Sequence, residues 1–165
     1  MEYCTHCGTR LVEKELEHEG IIPYCPTCKE YRFKTFNTAV SMIITTKAFD
    51  QVLFIKQYGM QRYILVAGYI TQGENAETAV RREIAEEVGL KVEHLIFQKT
   101  EYYEKSNTLM VNFIAVVEDM DVHPNYEIDS YAWFSVEEGK EAIAKGSLAE
   151  AFYMMFYNKV KNHEL

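Results

Sequence analysis

The sequence predicts an α+β domain preceded by a small metal-held module. Three features point there. Four cysteines stand as two close pairs near the start of the chain. Several β-branched, apolar runs alternate with only a few helical stretches. The composition suits a packed core: 48% apolar and 13% aromatic residues, with only 3 Pro and 8 Gly in 165 residues.

The cysteine pattern is Cys4-x2-Cys7, 17 intervening residues, then Cys25-x2-Cys28. Thiolates two residues apart on a tight turn can both face one ion, and a second such turn completes a tetrahedral site with no open position. Zn²⁺ is the expected ion and its role structural; two disulfides or free thiols are the other readings of the same four residues. Gly8 follows the first pair where a turn favours positive φ, and Pro26 lies within the second. Residues 10–12 and 20–24 read as a hairpin between them. His6 and His18 are spare ligand types, read as solvent-facing. So short a module buries little apolar surface, so the ion must supply much of its folding energy. The expected division is a zinc ribbon over 1–34 and a larger domain over 35–165.

In the larger part, residues 37–46, 51–57 and 62–67 read as strands, the first two as a hairpin. Residues 76–88 show helical periodicity. Residues 91–103 and 108–118 read as two more strands around the polar link 104–107, and 130–134 as a further short one. Residues 137–145 and 148–161 read as helices. Layers of sheet and helix follow from this mix.

With 17 basic against 25 acidic residues, the net charge is -8. That disfavours a general grip on nucleic-acid phosphates. No apolar run approaches the roughly 18–20 residues of a membrane span. The opening decapeptide shows no charged region followed by an apolar stretch, and paired cysteines without an export signal suit a cytoplasmic protein.

The helix over 76–88 carries the chemistry. Glu83, Glu86 and Glu87 share one side of it, while Val80, Ile84 and Val88 form a neighbouring apolar stripe. Arg82 reaches Glu86 at i+4, and Gly89 suits a left-handed cap. Clustered carboxylates repel unless a cation intervenes, and hard oxygen donors select Mg²⁺ or Mn²⁺. A solvated acidic helix face would show the same spacing.

The longer pattern is more specific. Residues 68–90 fit Gly-x5-Glu-x7-Arg-Glu-aliphatic-x-Glu-Glu-x-Gly-aliphatic at all nine fixed positions: Gly68, Glu74, Arg82, Glu83, Ile84, Glu86, Glu87, Gly89 and Leu90. This segment resembles the signature of the Nudix hydrolases. The resemblance implies an α/β/α sandwich and hydrolysis of a nucleoside diphosphate linked to another moiety. It implies that Glu83, Glu86 and Glu87 ligate the divalent metal, that Arg82 and Glu74 orient them, and that Gly68 and Gly89 shape the flanking loops. The proton acceptor falls to Glu86 or Glu87.

A zinc ribbon before such a domain resembles the NADH pyrophosphatase branch of the family. Its motif after the signature is matched in part by Thr108, Leu109, Met110 and Phe113, with Tyr103 in place of a Trp and the motif's three prolines absent. The resemblance implies substrate contacts at Tyr69, Tyr103, Thr108 and Ala149. The last lies in Gly146-Ser147-Leu148-Ala149, which is similar to a phosphate-approaching turn. Where the branch has a metal-binding Glu three residues before its Trp, this chain has Ser130, and Glu127 or Asp129 is the candidate replacement. Trp133 reads as core. The ring-rich stretch Phe152, Tyr153, Phe156, Tyr157 reads as a core-plus-interface helix, and a homodimer is the family expectation.

The expected substrate is NAD(H)-like, with ADP-ribose, nucleotide sugars or a nucleotide cap on RNA as alternatives. A non-catalytic nucleotide sensor is the competing class. Lys29, Arg32 and Lys34 form the one basic cluster of the ribbon that an RNA contact would use.

Overall fold

The computed structural model describes residues 2–165. They form two compact units, one ending at Phe36 and the other spanning Asn37–Leu165.

The first unit is a three-stranded antiparallel sheet of β1 (Val12–Leu16), β2 (Gly20–Cys25) and β3 (Glu30–Tyr31). The second strand of the expected hairpin falls at 20–24 as read, but the first runs over Val12–Leu16 and not 10–12, and Arg10 instead bridges Tyr3. Strand β3 was not expected, because two residues are too few to show alternation. Tyr24 and Tyr31 meet edge-on at 5.1 Å, and Lys14 Nζ lies 4.0 Å from the Tyr24 ring centre. Among the described residues of this unit, Cys4 and Cys25 alone are buried. A unit with so little core depends on what its cysteines hold.

The second unit contains β4 (Asn37–Thr45), β5 (Gln51–Gln57), β6 (Val66–Tyr69), α1 (Ala76–Val88), β7 (Val92–Tyr103), a 3₁₀ turn (Glu104–Ser106), β8 (Thr108–Val117), β9 (Ile128–Ser135), α2 (Val136–Ala142) and α3 (Leu148–Lys161). The sheet runs β7-β8-β4-β5-β9, with β6 added along β4. Strand β4 is buried on both faces, and its alternation divides the core. Val40, Met42 and Ile44 join α1 through Val80, Ile84 and Val88. Ile43 faces the other way, to Phe152, Tyr153 and Phe156 of α3. One helix on one face and two on the other make an α/β/α sandwich on a mixed sheet.

Two boundaries depart from expectation. The third strand is not 62–67 but Val66–Tyr69. Residue Ile64 instead exchanges backbone bonds with Ile55 at 3.1 and 2.9 Å, and the chain then crosses to pair with β4. The apolar run from Tyr63 to Ala67 is continuous, so periodicity shows no break at the crossing. Helix α2 is shorter than 137–145. It starts at a capping box between Ser135 and Glu138 and ends by Ala142.

The rings of α3 are used largely in the core. Phe152, Tyr153 and Phe156 are buried, and Tyr157 packs against the same cluster. The Tyr153 hydroxyl donates to Val136 O at 2.6 Å. Trp133 packs against the α1-side core and donates its indole N–H to Met120 O at 3.3 Å.

Candidate active site

Sheet topology opens the site. Strand β4 pairs with β5 only at Ile44 and Thr45; its first half pairs with β6, while β5 continues beside β9. A cavity of about 550 Å³ lies between these two banks, lined by residues of β4, β6, α1, β8 and the β5–β6 and β8–β9 connections.

Helix α1 delivers the carboxylates. Asn75 caps it by accepting from Thr78 N–H at 2.8 Å, and Gly89 ends it in the left-handed conformation at φ 69°. A Cβ at residue 89 would also lie 2.8 Å from His123 Cβ. Ala79, Val80, Ile84 and Val88 are buried, which turns Glu83, Glu86 and Glu87 into the cavity.

Arg82 organises them. Its Nε and Nη2 donate to the two oxygens of Glu74 at 2.9 and 3.0 Å, a bidentate pair. Its Nη1 donates to Glu83 at 2.8 Å and Glu86 at 3.2 Å, and Nη2 also reaches Tyr69 O at 3.1 Å. Thr71 donates to Glu74 through its N–H at 3.2 Å and its hydroxyl at 3.0 Å. The guanidinium holds the Glu74 carboxyl down at about 2. Both Glu74 oxygens are thus taken up by Arg82, one of them by Thr71 as well.

Glu87 is the opposite case. Burial, reinforced by the charges of Glu83, Glu127 and Glu86, pushes its carboxyl up to about 8. Its Oε2 is buried with no hydrogen-bond partner. A buried carboxylate oxygen without a partner, in a cavity that Glu83, Glu86 and Glu127 also line, gives a set of hard oxygen donors that suits a divalent ion.

The β8–β9 connection brings in Glu127. His123 N–H donates to Val88 O and Asn125 N–H to Glu87 O, both at 2.9 Å, so the connection caps the end of α1. A bulge in β9 then sets Lys56 opposite Ser130 and Gln57 opposite Ile128, which leaves Asp129 outside the register. The sequence left Glu127 and Asp129 as alternatives. Glu127 lines the cavity, whereas Asp129 turns away and accepts from Gly59 N–H at 2.7 Å. Ser130 is not among the lining residues.

The expected substrate contacts divide. Tyr69, 58% exposed, and the buried Thr108 line this cavity. Tyr103 lines a separate cavity of about 390 Å³ with Gly146 and Ser147. Ala149 packs against the α3-side core. The turn before α3 is also occupied: Gly146 N–H donates to Glu150 Oε2 at 2.6 Å, and Ser147 caps Glu150 N–H at 3.0 Å. The Gly146 amide thus serves the protein's own carboxylate and the Glu150 amide the protein's own hydroxyl.

Sequence reasoning missed Tyr58. Its ring lines the cavity and its hydroxyl donates to Glu127 Oε2 at 2.8 Å. The signal was the Tyr58-Gly59 dipeptide between two apolar runs. Both residues have positive φ, 53° and 72°, and Met60 N–H bonds Gln57 O at 3.1 Å, a two-residue hairpin turn.

The four cysteines form the second candidate site. Their sulfurs all lie within 4.8 Å of one another. Cys4 and Cys28 are 3.9 Å apart, Cys7 and Cys25 3.5 Å. A tetrahedron with ~2.3 Å Zn–S arms has edges of about 3.8 Å, so the set fits zinc. Cys28 N–H donates to Cys25 Sγ and Arg32 Nε to Cys4 Sγ, both at 3.3 Å. The backbone and Arg32 hydrogen bonds pull the Cys4 thiol down to about 6 against its burial, towards the thiolate. His6 and His18 are exposed and stand outside the set. Arg32 is held by Cys4 and by Glu30 at 2.6 Å, which takes the central cation out of the Lys29–Lys34 cluster.

A mixed sheet between helices, with an arginine-clamped set of glutamates on a helix at a split in the sheet, defines a Nudix-type fold. The sequence matches the NUDIX domain over residues 35–153, and the chain belongs to that family. It is 29% identical over 150 residues to a protein named NAD-capped RNA hydrolase NudC from Pseudomonas aeruginosa, covering 89% of this chain and 52% of that protein. It is 28% identical over 160 residues to Nudix hydrolase 19, chloroplastic, of Arabidopsis thaliana, covering 91% and 36%. The chain thus spans about half the length of the NudC protein it matches. In three dimensions it resembles a NUDIX hydrolase from Nitrosomonas europaea, with TM-score 0.72, 19% identity, and 98% and 93% of the two chains covered. It also resembles a C. elegans Ap4A hydrolase, with TM-score 0.63, 19% identity, and 76% and 98% covered. At these identities the likeness is one of fold.

Proposed function

We propose that this chain is a divalent-metal-dependent pyrophosphohydrolase that cleaves the diphosphate of a nucleoside diphosphate derivative, NAD(H)-like dinucleotides first. The observation that carries the proposal is the buried, unpartnered Oε2 of Glu87 among Glu83, Glu86 and Glu127. Glu83, Glu86 and Glu87 hold the ion, Mg²⁺ or Mn²⁺. Arg82 and Glu74 fix the carboxylates in place. A bound ion would neutralise the diphosphate and lower the pKa of a coordinated water. Glu86 or Glu87 would serve as the acceptor of the attacking water's proton. Tyr69 offers an exposed ring for a base to stack on, while Thr108 lines the same cavity with its hydroxyl donated to Ser106 O at 3.0 Å. Zn²⁺ at Cys4, Cys7, Cys25 and Cys28 is structural, residues 1–34 acting as a ribbon for the domain over 35–165. A homodimer and a cytoplasmic setting complete the reading; no helix among the described residues is long and apolar enough to cross a membrane.

The NudC relatives, named as hydrolases of NAD-capped RNA, support a dinucleotide diphosphate. ADP-ribose and nucleotide sugars share that diphosphate and remain the alternatives. Incubation with a panel of these compounds and Mg²⁺, with products identified by mass, tests the proposal. Turnover that Glu86→Gln abolishes supports it. Absence of turnover across the panel, with nucleotide binding intact in Glu86→Gln, supports the sensor instead.

A further inference from the structure

Tyr58 occupies a backbone conformation that costs a non-glycine residue on the order of 1 kcal/mol, at φ 53°. The chain keeps an aromatic residue there nonetheless, 68% exposed, so burial of the ring does not offset the strain. The turn that carries it is fastened at two points around the start of β9: the phenol donates to Glu127 at 2.8 Å and Gly59 N–H donates to Asp129 at 2.7 Å. Glu127 is held from its other side by its own N–H, which donates to Asn125 Oδ1 at 2.9 Å. Asn125 in turn is bonded to the last turn of α1. Glu127 therefore stands between the strained turn and the end of the carboxylate helix. The bulge at Asp129 lets both fastenings form, because it displaces one carboxylate to the turn backbone and leaves the other at the cavity.

We propose that Tyr58 is a positioning residue, whose phenol holds Glu127 turned into the cavity as a fourth carboxylate on the divalent cation. The inference rests on the metal-dependent reading above. Tyr58 lies on the β5 bank and reaches no carboxylate of α1 through any bond seen here; it acts through Glu127. The hydroxyl donates one of the carboxylate's lone pairs a partner and leaves the other oxygen for the ion. Without the phenol, Glu127 has only its flexible side chain and its exposed side to orient it, and must lose that freedom each time the cation binds.

The test is calorimetric titration of the full, zinc-loaded chain with Mn²⁺ alone. Tyr58→Phe keeps the ring and removes the hydroxyl. It weakens Mn²⁺ binding roughly five- to tenfold, the worth of one ordinary solvent-exposed hydrogen bond. Turnover at saturating Mn²⁺ falls by a smaller factor, because the ion once bound is held by the α1 carboxylates. Glu127→Gln weakens Mn²⁺ binding at least as much, and adding Tyr58→Phe to it changes nothing further. Wild-type Mn²⁺ affinity in Tyr58→Phe overturns the inference, whether or not the melting temperature drops. Additive losses in the double variant overturn it as well. Glu86→Gln separates the two levels: if it leaves both Mn²⁺ binding and turnover intact, the metal-dependent reading fails; if it acts while Tyr58→Phe is silent, only the role of Tyr58 fails.

Discussion

Gly68 lies so close to Glu83 that a Cβ on residue 68 would stand 2.0 Å from the Glu83 carboxyl carbon and from its Oε1. No side chain fits there while Glu83 keeps its place. The obstructing atoms are the end of a flexible side chain, so the backbone can survive a methyl group by expelling the carboxylate. Gly68→Ala should therefore fold, with a melting temperature near wild type, and lose turnover by about two orders of magnitude or more. Thermal denaturation and kcat on the same preparation check it.

Glu74, paired with Arg82, contributes to the acid sensitivity of the domain. The folded carboxyl titrates at about 2, below its ordinary 4.5. A lowered pKa contributes stability that is present above 4.5 and is lost as pH falls from there towards 2. Glu74→Gln should flatten the fall in stability over that window and leave the slope above pH 5 unchanged. Denaturant midpoints measured from pH 7 down to pH 3 read this directly.

Glu87 works in the opposite sense. Its folded carboxyl titrates at about 8, raised from 4.5, so between these values the folded state holds a proton that the unfolded chain has lost. Metal-free protein should lose stability as pH rises through this window, and Glu87→Gln should remove that slope. A cation must displace the same proton. Mg²⁺ or Mn²⁺ affinity should rise about tenfold per pH unit from pH 6 to 8 in wild type and much less steeply in Glu87→Gln. Titrations at three pH values suffice.

The cysteine set should be separable from the chemistry. Cys25 is fully buried and accepts Cys28 N–H, so its loss removes a ligand and part of the unit's small core. Cys25→Ser, or stripping zinc with a chelator, should unfold the first unit as seen by proteolysis, while turnover per molecule stays within about threefold. A melting profile indifferent to both treatments would show that Cys4, Cys7, Cys25 and Cys28 hold no ion.

Fold and site were legible to different degrees, for physical reasons. Helix α1 falls at 76–88 as read, because its apolar stripe, its acidic face and Gly89 all report on the same 13 residues. The four-cysteine cluster is as plain, since its geometry follows from spacing. Strand β6 was misplaced because Ile64 and Val66 are equally apolar, while the strand each pairs with changes from β5 to β4 between them. Glu127 and Asp129 looked equivalent because the bulge that separates them depends on the strand opposite. Tyr103 and Ala149 belong elsewhere than Tyr69 and Thr108, which no local pattern records. Tyr58 escaped because a tyrosine in a left-handed turn looks ordinary until Glu127 is seen beneath its hydroxyl.

The most direct measurement is an anomalous difference map from crystals of the zinc-loaded protein soaked in manganese. A manganese peak within about 2.0–2.4 Å of carboxylate oxygens of Glu83, Glu86 and Glu87 is the predicted result. A map with density at the four sulfurs and none beside those glutamates, with a nucleotide diphosphate present, would contradict it.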